Sequence, residues 1–460
     1  MGALFRTNGI REVVGDRLTA PFATTIAQAI ASAIDPTATV AIGRDGRTSS
    51  SAFSDLIAAS LLLAGRDVVD LGLLPTPAVQ YNVPRVGAGF GVVVTASHNP
   101  PEYNGIKCLD ERGHSVSTGT ERKIEQAIDA GVEVSVPFDR VGERRPDPHG
   151  AERYLTGVLG EVDAGVVARQ HFTIVLDCAN GATAVTSPTL LRRLGCRVIT
   201  LNGHVDGCFP GRPSEPNERT LSALARAVPE FGADLGIAHD GDGDRTLFVD
   251  GRGRFVPGDR SFALLARAAA RASPSGVVVT PLSTSQVVED VVTPLGTRVR
   301  YTAIGSPKLT GEIEKSHAVI GGEENGGVVF PHFQLARDGG LTAAALLELL
   351  AKADQPLDAL LDDLPRYGLV KERVPCPPDR AAPLLATVAQ AMSDGARRVL
   401  TLDGFKIYTD GGWLLLRPSG TEPVIRIFAE NRDPSSARRL ADEAVSRVRE
   451  LLELEGPLAP

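Results

Sequence analysis

The sequence predicts an α/β protein of four domains, three similar α/β domains followed by a smaller C-terminal α+β domain. Three observations carry this prediction. A strand–helix–glycine–strand unit recurs three times along the chain, at separations far beyond those of short solenoid repeats. The C-terminal stretch instead reads as short strands joined by turns, with two helices among them, the pattern of an antiparallel sheet with helices packed on it. The 460 residues hold about three domains at about 150 residues each, so three compact repeats and a smaller tail fill the length. With 43% hydrophobic and 23% charged residues, the composition is that of a globular chain and excludes a disordered, collagenous or disulfide-scaffold protein.

The first repeat reads as a buried strand over residues 40–45, a helix over 51–64, Gly65, and a strand over 67–71. The second has a strand over 173–177, a helix ending near Leu194, Gly195, and a strand over 196–201. The third has a strand over 277–280, a helix ending near Leu295, Gly296, and a strand over 298–304. Each glycine suits the left-handed position that stops a helix. Strand–helix–strand connections favour parallel pairing. The tail reads as strands over 369–374, 399–403, 405–409, 413–417 and 424–430, with helices over 383–393 and 435–452. The expected domains are 1–149, 150–252, 253–366 and 367–460.

The net charge of −8 argues against nucleic acid or acidic lipid as a partner of the whole surface. The 15 Phe, 6 Tyr and 1 Trp are too few for a platform of stacked bases. The five cysteines, Cys108, Cys178, Cys196, Cys208 and Cys376, form no CxxC pair and no disulfide framework. The first residues carry no apolar signal segment, and no run approaches the ~18 apolar residues of a membrane span. A cytoplasmic protein is expected.

Four loops carry chemistry. Thr95-Ala96-Ser97-His98-Asn99-Pro100 follows an apolar strand at 90–94, so it presents side chains at the carboxyl edge of a sheet, where ligands bind. Ser97 is a nucleophile candidate that needs a base or a metal, and His98 stands beside it; a plain polar turn is the alternative. Asp240-Gly241-Asp242-Gly243-Asp244-Arg245 sets three carboxylates at alternate positions. Curled by its glycines, the loop can converge on one hard cation, and Mg²⁺ fits because it takes few carboxylates. Strand flanks and the lack of a twelfth-position Glu exclude an EF-hand; a solvated acidic hairpin is the alternative. Gly321-Gly322-Glu323-Glu324-Asn325-Gly326-Gly327 can read sugar hydroxyls through Glu323 and Asn325, or serve as a flexible turn. Arg417-Pro418-Ser419-Gly420-Thr421-Glu422-Pro423, with Arg426 beyond, has the makings of a phosphate cradle, or of a surface hairpin. Neither a Walker A motif nor G-x-G-x-x-G occurs.

As an ordered set, one loop per domain, these motifs resemble the α-D-phosphohexomutases over nearly the whole chain. That resemblance implies four domains around a central cleft, and an enzyme that moves phosphate between the 1- and 6-positions of a glucosamine, mannose or glucose phosphate. It implies that Ser97 carries the phosphoryl group. Asp240, Asp242 and Asp244 would hold Mg²⁺ with a phosphoserine oxygen, and Arg245 would steady the phosphoryl group. Glu323 and Asn325 would read the 3- and 4-hydroxyls. Arg417, Ser419, Gly420 and Thr421 would hold the non-reacting phosphate, with Arg426 nearby. Arg11 and Lys107, the latter one of only seven lysines, correspond to active-site cations. Hexose 1,6-bisphosphate would be the activator and a small sugar phosphate the partner, with a homodimer left open. Arg11, Lys107, Arg245, Arg417 and Arg426 would line one positive cleft, and closure of the fourth domain would exclude water.

The chain departs from the family pattern in places. Arg6 and Glu12 stand where the first motif usually has glycines, Asn325 where many members have Ser, and Gly327 where many have a His that is a candidate base. Either Lys107, water or the substrate phosphate takes that His's part, or the chain is slower. Two other readings compete. One is a Mg²⁺-dependent sugar phosphatase with Asp240 as nucleophile, and the other is a sugar-phosphate-binding protein without turnover.

Overall fold

The computed structural model describes residues 4–5, 9–419 and 422–454. Arg6, Gly420 and Thr421 therefore lie outside the described residues. The chain divides into two compact units. The first comprises the chain up to Ser261 together with Asn325–Leu361, and the second comprises Phe262–Glu324 and the chain from Asp362 onward.

The first unit contains two sheets. The six-stranded sheet runs in the order Ile10–Val13, Tyr103–Leu109, Phe90–Val94, Val40–Arg44, Val68–Leu73, Arg144–Pro146. Val40–Arg44 pairs in parallel with both Val68–Leu73 and Phe90–Val94. Both faces of such a strand are covered, which explains why Phe90–Val94 is apolar and buried at every position. The five-stranded sheet runs Phe255–Val256, Thr246–Asp250, Leu235–His239, Thr173–Asp177, Arg197–Leu201. Its last three strands are parallel, and Leu235–His239 and Thr246–Asp250 form an antiparallel hairpin. Helix Gly339–Ala353 docks on that hairpin. Asp338 caps it by accepting from Leu341 N, and the Gly339 N–H donates to the Gly243 carbonyl at 3.1 Å. The carboxyl ends of Val40–Arg44, Phe90–Val94 and Leu235–His239 thus open onto the chemistry-bearing loops.

In the second unit, Val277–Pro281 pairs in parallel with Arg298–Thr302 and with Ile320–Gly322. The C-terminal sheet is antiparallel throughout, in the order Gly368–Pro375, Val424–Asn431, Gly412–Pro418, Phe405–Thr409, Arg398–Leu400. Helices Pro378–Met392 and Pro434–Leu454 cover one face of it, around Leu384, Val388, Leu414, Ile427, Ala441 and Val448. Tyr408, Trp413, Leu415 and Phe428 on the other face pack with Leu282 and Tyr301.

The three expected parallel pairs are all present. Gly65, Gly195 and Gly296 take φ of 77°, 83° and 82°, the left-handed conformation that ends a helix. Several boundaries differ. The helix expected from Pro383 begins at Pro378, with Pro383 inside it, because Pro378 supplies the favoured proline start and the buried Ala381 extends upstream the apolar face of Leu384, Leu385 and Val388. The strand expected over 399–403 is Arg398–Leu400, and Asp403 turns away to accept from Ile304 N at 3.2 Å.

A buried lysine sits within the second unit. Lys406 is wholly buried, and its ammonium lies 4.0 Å from the ring centre of Trp413, 4.8 Å from Tyr301 and 5.5 Å from Tyr408. It donates to the Thr284 carbonyl at 3.1 Å. Glu430 is buried nearby and accepts from Trp413 Nε1 at 2.7 Å and Gln286 N at 2.8 Å. Burial pulls the lysine down to about 7, against the pull of Glu430, Glu289 and Glu324 and with a small push from Arg398. The unfolded chain therefore holds this proton up to about pH 10 while the folded one releases it from about pH 7, so folding tightens as pH rises between them. Urea unfolding followed by Trp413 fluorescence, the chain's sole tryptophan, should gain about 2 kcal/mol between pH 7 and 9 from this group. Lys406→Met should remove that slope.

Candidate active site

The first unit gathers Arg11, Ser97, His98, Lys107, Asp240, Asp242, Asp244 and Arg245 around two touching loops. The hairpin tip carrying the three aspartates is buried, unlike a solvated acidic turn. Gly243 has φ +76°, which curls the tip, and a Cβ on Gly241 would stand 2.6 Å from the Ser97 carbonyl oxygen. Glycine at 241 is thus what lets the serine loop approach. One carboxylate oxygen from each aspartate lies within 4.8 Å of the others.

The individual oxygens are divided in their tasks. Asp242 Oδ2 accepts from Lys107 Nζ at 2.7 Å and from Thr76 Oγ1 at 2.6 Å. Asp244 Oδ2 accepts from Arg337 Nη2, with Lys107 Nζ at 3.8 Å. Asp240 Oδ1 accepts from Arg245 N at 3.1 Å, and Oδ2 from Ser97 Oγ at 3.1 Å. Asp242 Oδ1 and Asp244 Oδ1 are buried without hydrogen-bond partners. Orphaned carboxylate oxygens are costly. Two of them beside a third carboxylate fit a divalent cation that prefers oxygen ligands.

The electrostatics agree with this division. Burial alone would raise the Asp242 carboxyl, but the Lys107 ammonium and the bonds from Lys107 and Thr76 hold it below the usual range. Burial, then the charges of Asp244 and Asp242, push Asp240 well above its ordinary value despite Arg245. A cation among the three would reverse that push. His98 is held far below its ordinary value by Arg245, then by burial, Arg11 and Arg337. Its ring stays neutral, with Nδ1 3.4 Å from Ser97 Oγ. Arg11 Nη1 donates to Asn99 Oδ1 at 3.0 Å, bracing the serine loop. Glu12 lies 3.9 Å from Arg17 in an ion pair.

Asn325 belongs to the first unit, and its Oδ1 accepts from Gly327 N at 3.0 Å. Glu323, Arg417, Ser419 and Arg426 belong to the second. Glu323 is buried, and its neighbour Glu324 accepts from Ser283 Oγ at 2.9 Å. Arg417 and Arg426 are directly opposed across the antiparallel pair Gly412–Pro418 and Val424–Asn431. Like charges in that position repel. Here Asp403 offsets Arg417 at 3.1 Å and Glu422 offsets Arg426 at 3.0 Å.

Sequence reasoning missed Arg47, Thr76 and Arg337. Arg47 lies in Asp45-Gly46-Arg47-Thr48, a polar loop after the buried strand Val40–Arg44, the same signal that singled out residues 95–100. Arg337 precedes the capping Asp338 of a long helix. A Cβ on Gly327 would stand 2.4 Å from Arg337 Cδ, so the arginine fills the space that a side chain at 327 would need. No local pattern announces Thr76, which meets Asp242 from 166 residues away.

The fold and this cluster define an α/β enzyme with a serine poised over a buried carboxylate triad. The four domain patterns described for phosphoglucomutase/phosphomannomutase match the chain in order. Residues 2–134 match α/β/α domain I, 152–253 domain II, 257–367 domain III, and 370–447 the C-terminal domain. The chain belongs to the phosphoglucomutase/phosphomannomutase family. It is 38% identical over 456 residues to a phosphoglucomutase/phosphomannomutase of Thermococcus kodakarensis, covering 98% of this chain and 100% of that one. It is 35% identical over 447 residues to a phosphoglucosamine/phosphogalactosamine mutase of Sulfurisphaera tokodaii, covering 96% and 98%. A crystal structure of a phosphoglucomutase/phosphomannomutase family protein from Burkholderia thailandensis superposes with a TM-score of 0.87 at 27% identity, over 97% of this chain and 98% of that one.

Proposed function

We propose that this chain is a Mg²⁺-dependent phosphohexomutase that interconverts the 1- and 6-phosphates of a hexose through phosphoserine at Ser97 and a hexose 1,6-bisphosphate. The observation that carries the reading is Ser97 Oγ, 3.1 Å from Asp240 Oδ2, in a buried triad whose Asp242 and Asp244 each keep one carboxylate oxygen without a hydrogen-bond partner. Asp240, Asp242 and Asp244 would hold Mg²⁺, which when bound offsets charge on the transferring phosphoryl group.

The protein's own contribution is positioning and charge. Lys107, Arg11 and Arg245 supply fixed positive charge around Ser97. Glu323 and Asn325 read the sugar hydroxyls. Arg417, Ser419, Gly420, Thr421 and Arg426 hold the phosphate that does not react. In the first transfer the P–Oγ bond of phosphoserine breaks and a bond to the free sugar hydroxyl forms. Over the step, the hydroxyl's proton passes to Ser97 Oγ. The bisphosphate then turns end for end, and its other phosphate returns to Ser97 by the reverse exchange. His98, with Nδ1 3.4 Å from Ser97 Oγ, orients the serine hydroxyl. A phosphorylated sugar substrate, too charged to leave through a membrane unaided, supports a cytoplasmic setting.

The test is phosphoryl transfer across the 1-phosphates of glucose, mannose, glucosamine and N-acetylglucosamine, with Mg²⁺ and a hexose 1,6-bisphosphate primer. Isomerised product that needs both additions is expected. Phosphate release without isomerisation would mean a phosphatase. Asp240 is poorly placed for that role, since its two oxygens already accept from Arg245 N and Ser97 Oγ. Tight binding of every sugar phosphate with no turnover would mean a binding protein. Arg417→Ala should lower kcat/KM about 10–100-fold, the worth of a charged hydrogen bond to phosphate, with little change in melting temperature because losing the pair with Asp403 is offset by relief of the opposed Arg426.

A further inference from the structure

Ser97 is one of few non-glycine residues with a left-handed backbone, at φ 52°. A residue with a Cβ adopts that conformation only where its surroundings impose it. The surroundings here trace to one buried arginine. All five N–H bonds of the Arg47 guanidinium are engaged. Nε donates to Asp45 Oδ2 at 3.1 Å. Nη1 donates to the Pro100 and Tyr103 carbonyls at 2.7 and 2.8 Å, and Nη2 to the Ser97 and Asn99 carbonyls at 2.9 and 2.6 Å. The Phe209 ring lies against it, 5.0 Å from centre to guanidinium carbon.

Asp45 completes the grip from the other side of the same loop. Its Oδ2 also accepts from Thr95 Oγ1 at 2.6 Å, and Thr95 Oγ1 in turn accepts from Ser97 N at 2.8 Å. Ser214 Oγ reaches the His98 and Asn99 carbonyls at 2.8 and 3.0 Å. The carbonyls of residues 97–100 are thereby all engaged, those of Ser97, Asn99 and Pro100 by Arg47 and that of His98 by Ser214. Ser97 Oγ is left pointing at Asp240.

We infer that Arg47, with Asp45, is the positioning residue that forces Ser97 into its left-handed conformation and aims its hydroxyl at the aspartate triad. This rests on Ser97 being the phosphoryl carrier. Arg47 makes no hydrogen bond to Ser97 Oγ or to the carboxylates of Asp240, Asp242 and Asp244; every bond it makes to the serine loop is to a backbone carbonyl. A lysine cannot replace it, because one ammonium on a flexible stem cannot span four carbonyls and a carboxylate.

The experiment compares Arg47→Lys, Arg47→Ala and Ser214→Ala with the wild-type enzyme. Arg47→Lys should lower kcat about 100-fold, the scale set by a misplaced reacting group, while KM and the Mg²⁺ concentration for half-maximal activity stay within about threefold. Millimolar guanidinium should restore part of the kcat of Arg47→Ala and none of that of Arg47→Lys, whose side chain still fills the space. Ser214→Ala removes two outer bonds of the same clamp and should lower kcat roughly fivefold at unchanged KM. It decides the matter should the Arg47 variants fail to fold. Wild-type kcat in folded Arg47→Lys or in Ser214→Ala overturns the inference, as does a joint collapse of kcat, KM and Mg²⁺ response without guanidinium rescue. Full activity in Ser97→Ala instead overturns the reading beneath it.

Discussion

Ser97→Ala should abolish mutase activity, by at least about 10⁴-fold, without unfolding the protein. The chemistry of the proposal passes through a single oxygen. Ser97 Oγ donates to Asp240 Oδ2, and no other hydroxyl among the described residues donates to that atom. Alanine keeps the Cβ and the backbone, so the loop stays clamped through its carbonyls by Arg47. The loss of one hydroxyl leaves Asp240 Oδ2 without its donor and should cost about 1–3 kcal/mol of stability, too little to unfold the protein. Intact-mass measurement of freshly purified wild-type protein should show a fraction heavier by one phosphoryl group, and the variant should show none. A variant that retained wild-type turnover would exclude phosphoserine chemistry.

Lys107→Met should lower both turnover and stability. Lys107 is buried, 2.7 Å from Asp242 Oδ2 and 3.8 Å from Asp244 Oδ2. Removing one partner of a buried ion pair costs about 3–5 kcal/mol, because the remaining charge is left without compensation. For Asp242 the consequence can be traced. Burial already acts to raise its carboxyl, and the ammonium is the main force opposing it. Without Lys107, Asp242 Oδ2 keeps only the Thr76 hydroxyl as donor and has lost its counter-charge. Turnover should fall about 10²–10³-fold as a fixed positive charge near the phosphoryl group disappears. In the presence of a chelator the variant should unfold at a markedly lower urea concentration than the wild type. Saturating Mg²⁺ should recover part of the difference, since a bound cation replaces the missing counter-charge. Equal midpoints for variant and wild type in chelator would show that the ion pair does not hold the loop.

Much of this site was legible in the sequence, where the carrier residues are contiguous. Ser97 and His98 follow an apolar strand, and the three aspartates alternate with glycines in one hairpin tip. Both arrangements come from local rules: period and apolarity place the strand, and the polar loop must then emerge at its end. The helix-stopping Gly65, Gly195 and Gly296 were legible for the same reason, since a left-handed φ is a demand on one residue. The helix starting at Pro378 was misplaced because a proline marks a helix start without saying which of several prolines does so.

The sequence by itself determined which residue types are available and which strand edges present them: a serine loop, a triple-aspartate loop, a glycine-rich acidic loop and an arginine-bearing hairpin, in that order along the chain. Only the tertiary structure decided how the individual atoms are used. Thr76 reaches Asp242 across 166 residues, Arg337 reaches Asp244 across 93, and Arg47 holds the serine loop from 50 residues away. Burial decides the rest. In water these aspartates would be three ordinary carboxylates. Enclosed together they split, one held ionised by Lys107 and one pushed toward its proton by its neighbours. The cost of leaving a charge without a partner depends on the surroundings a folded chain provides, and residue order alone does not specify those surroundings.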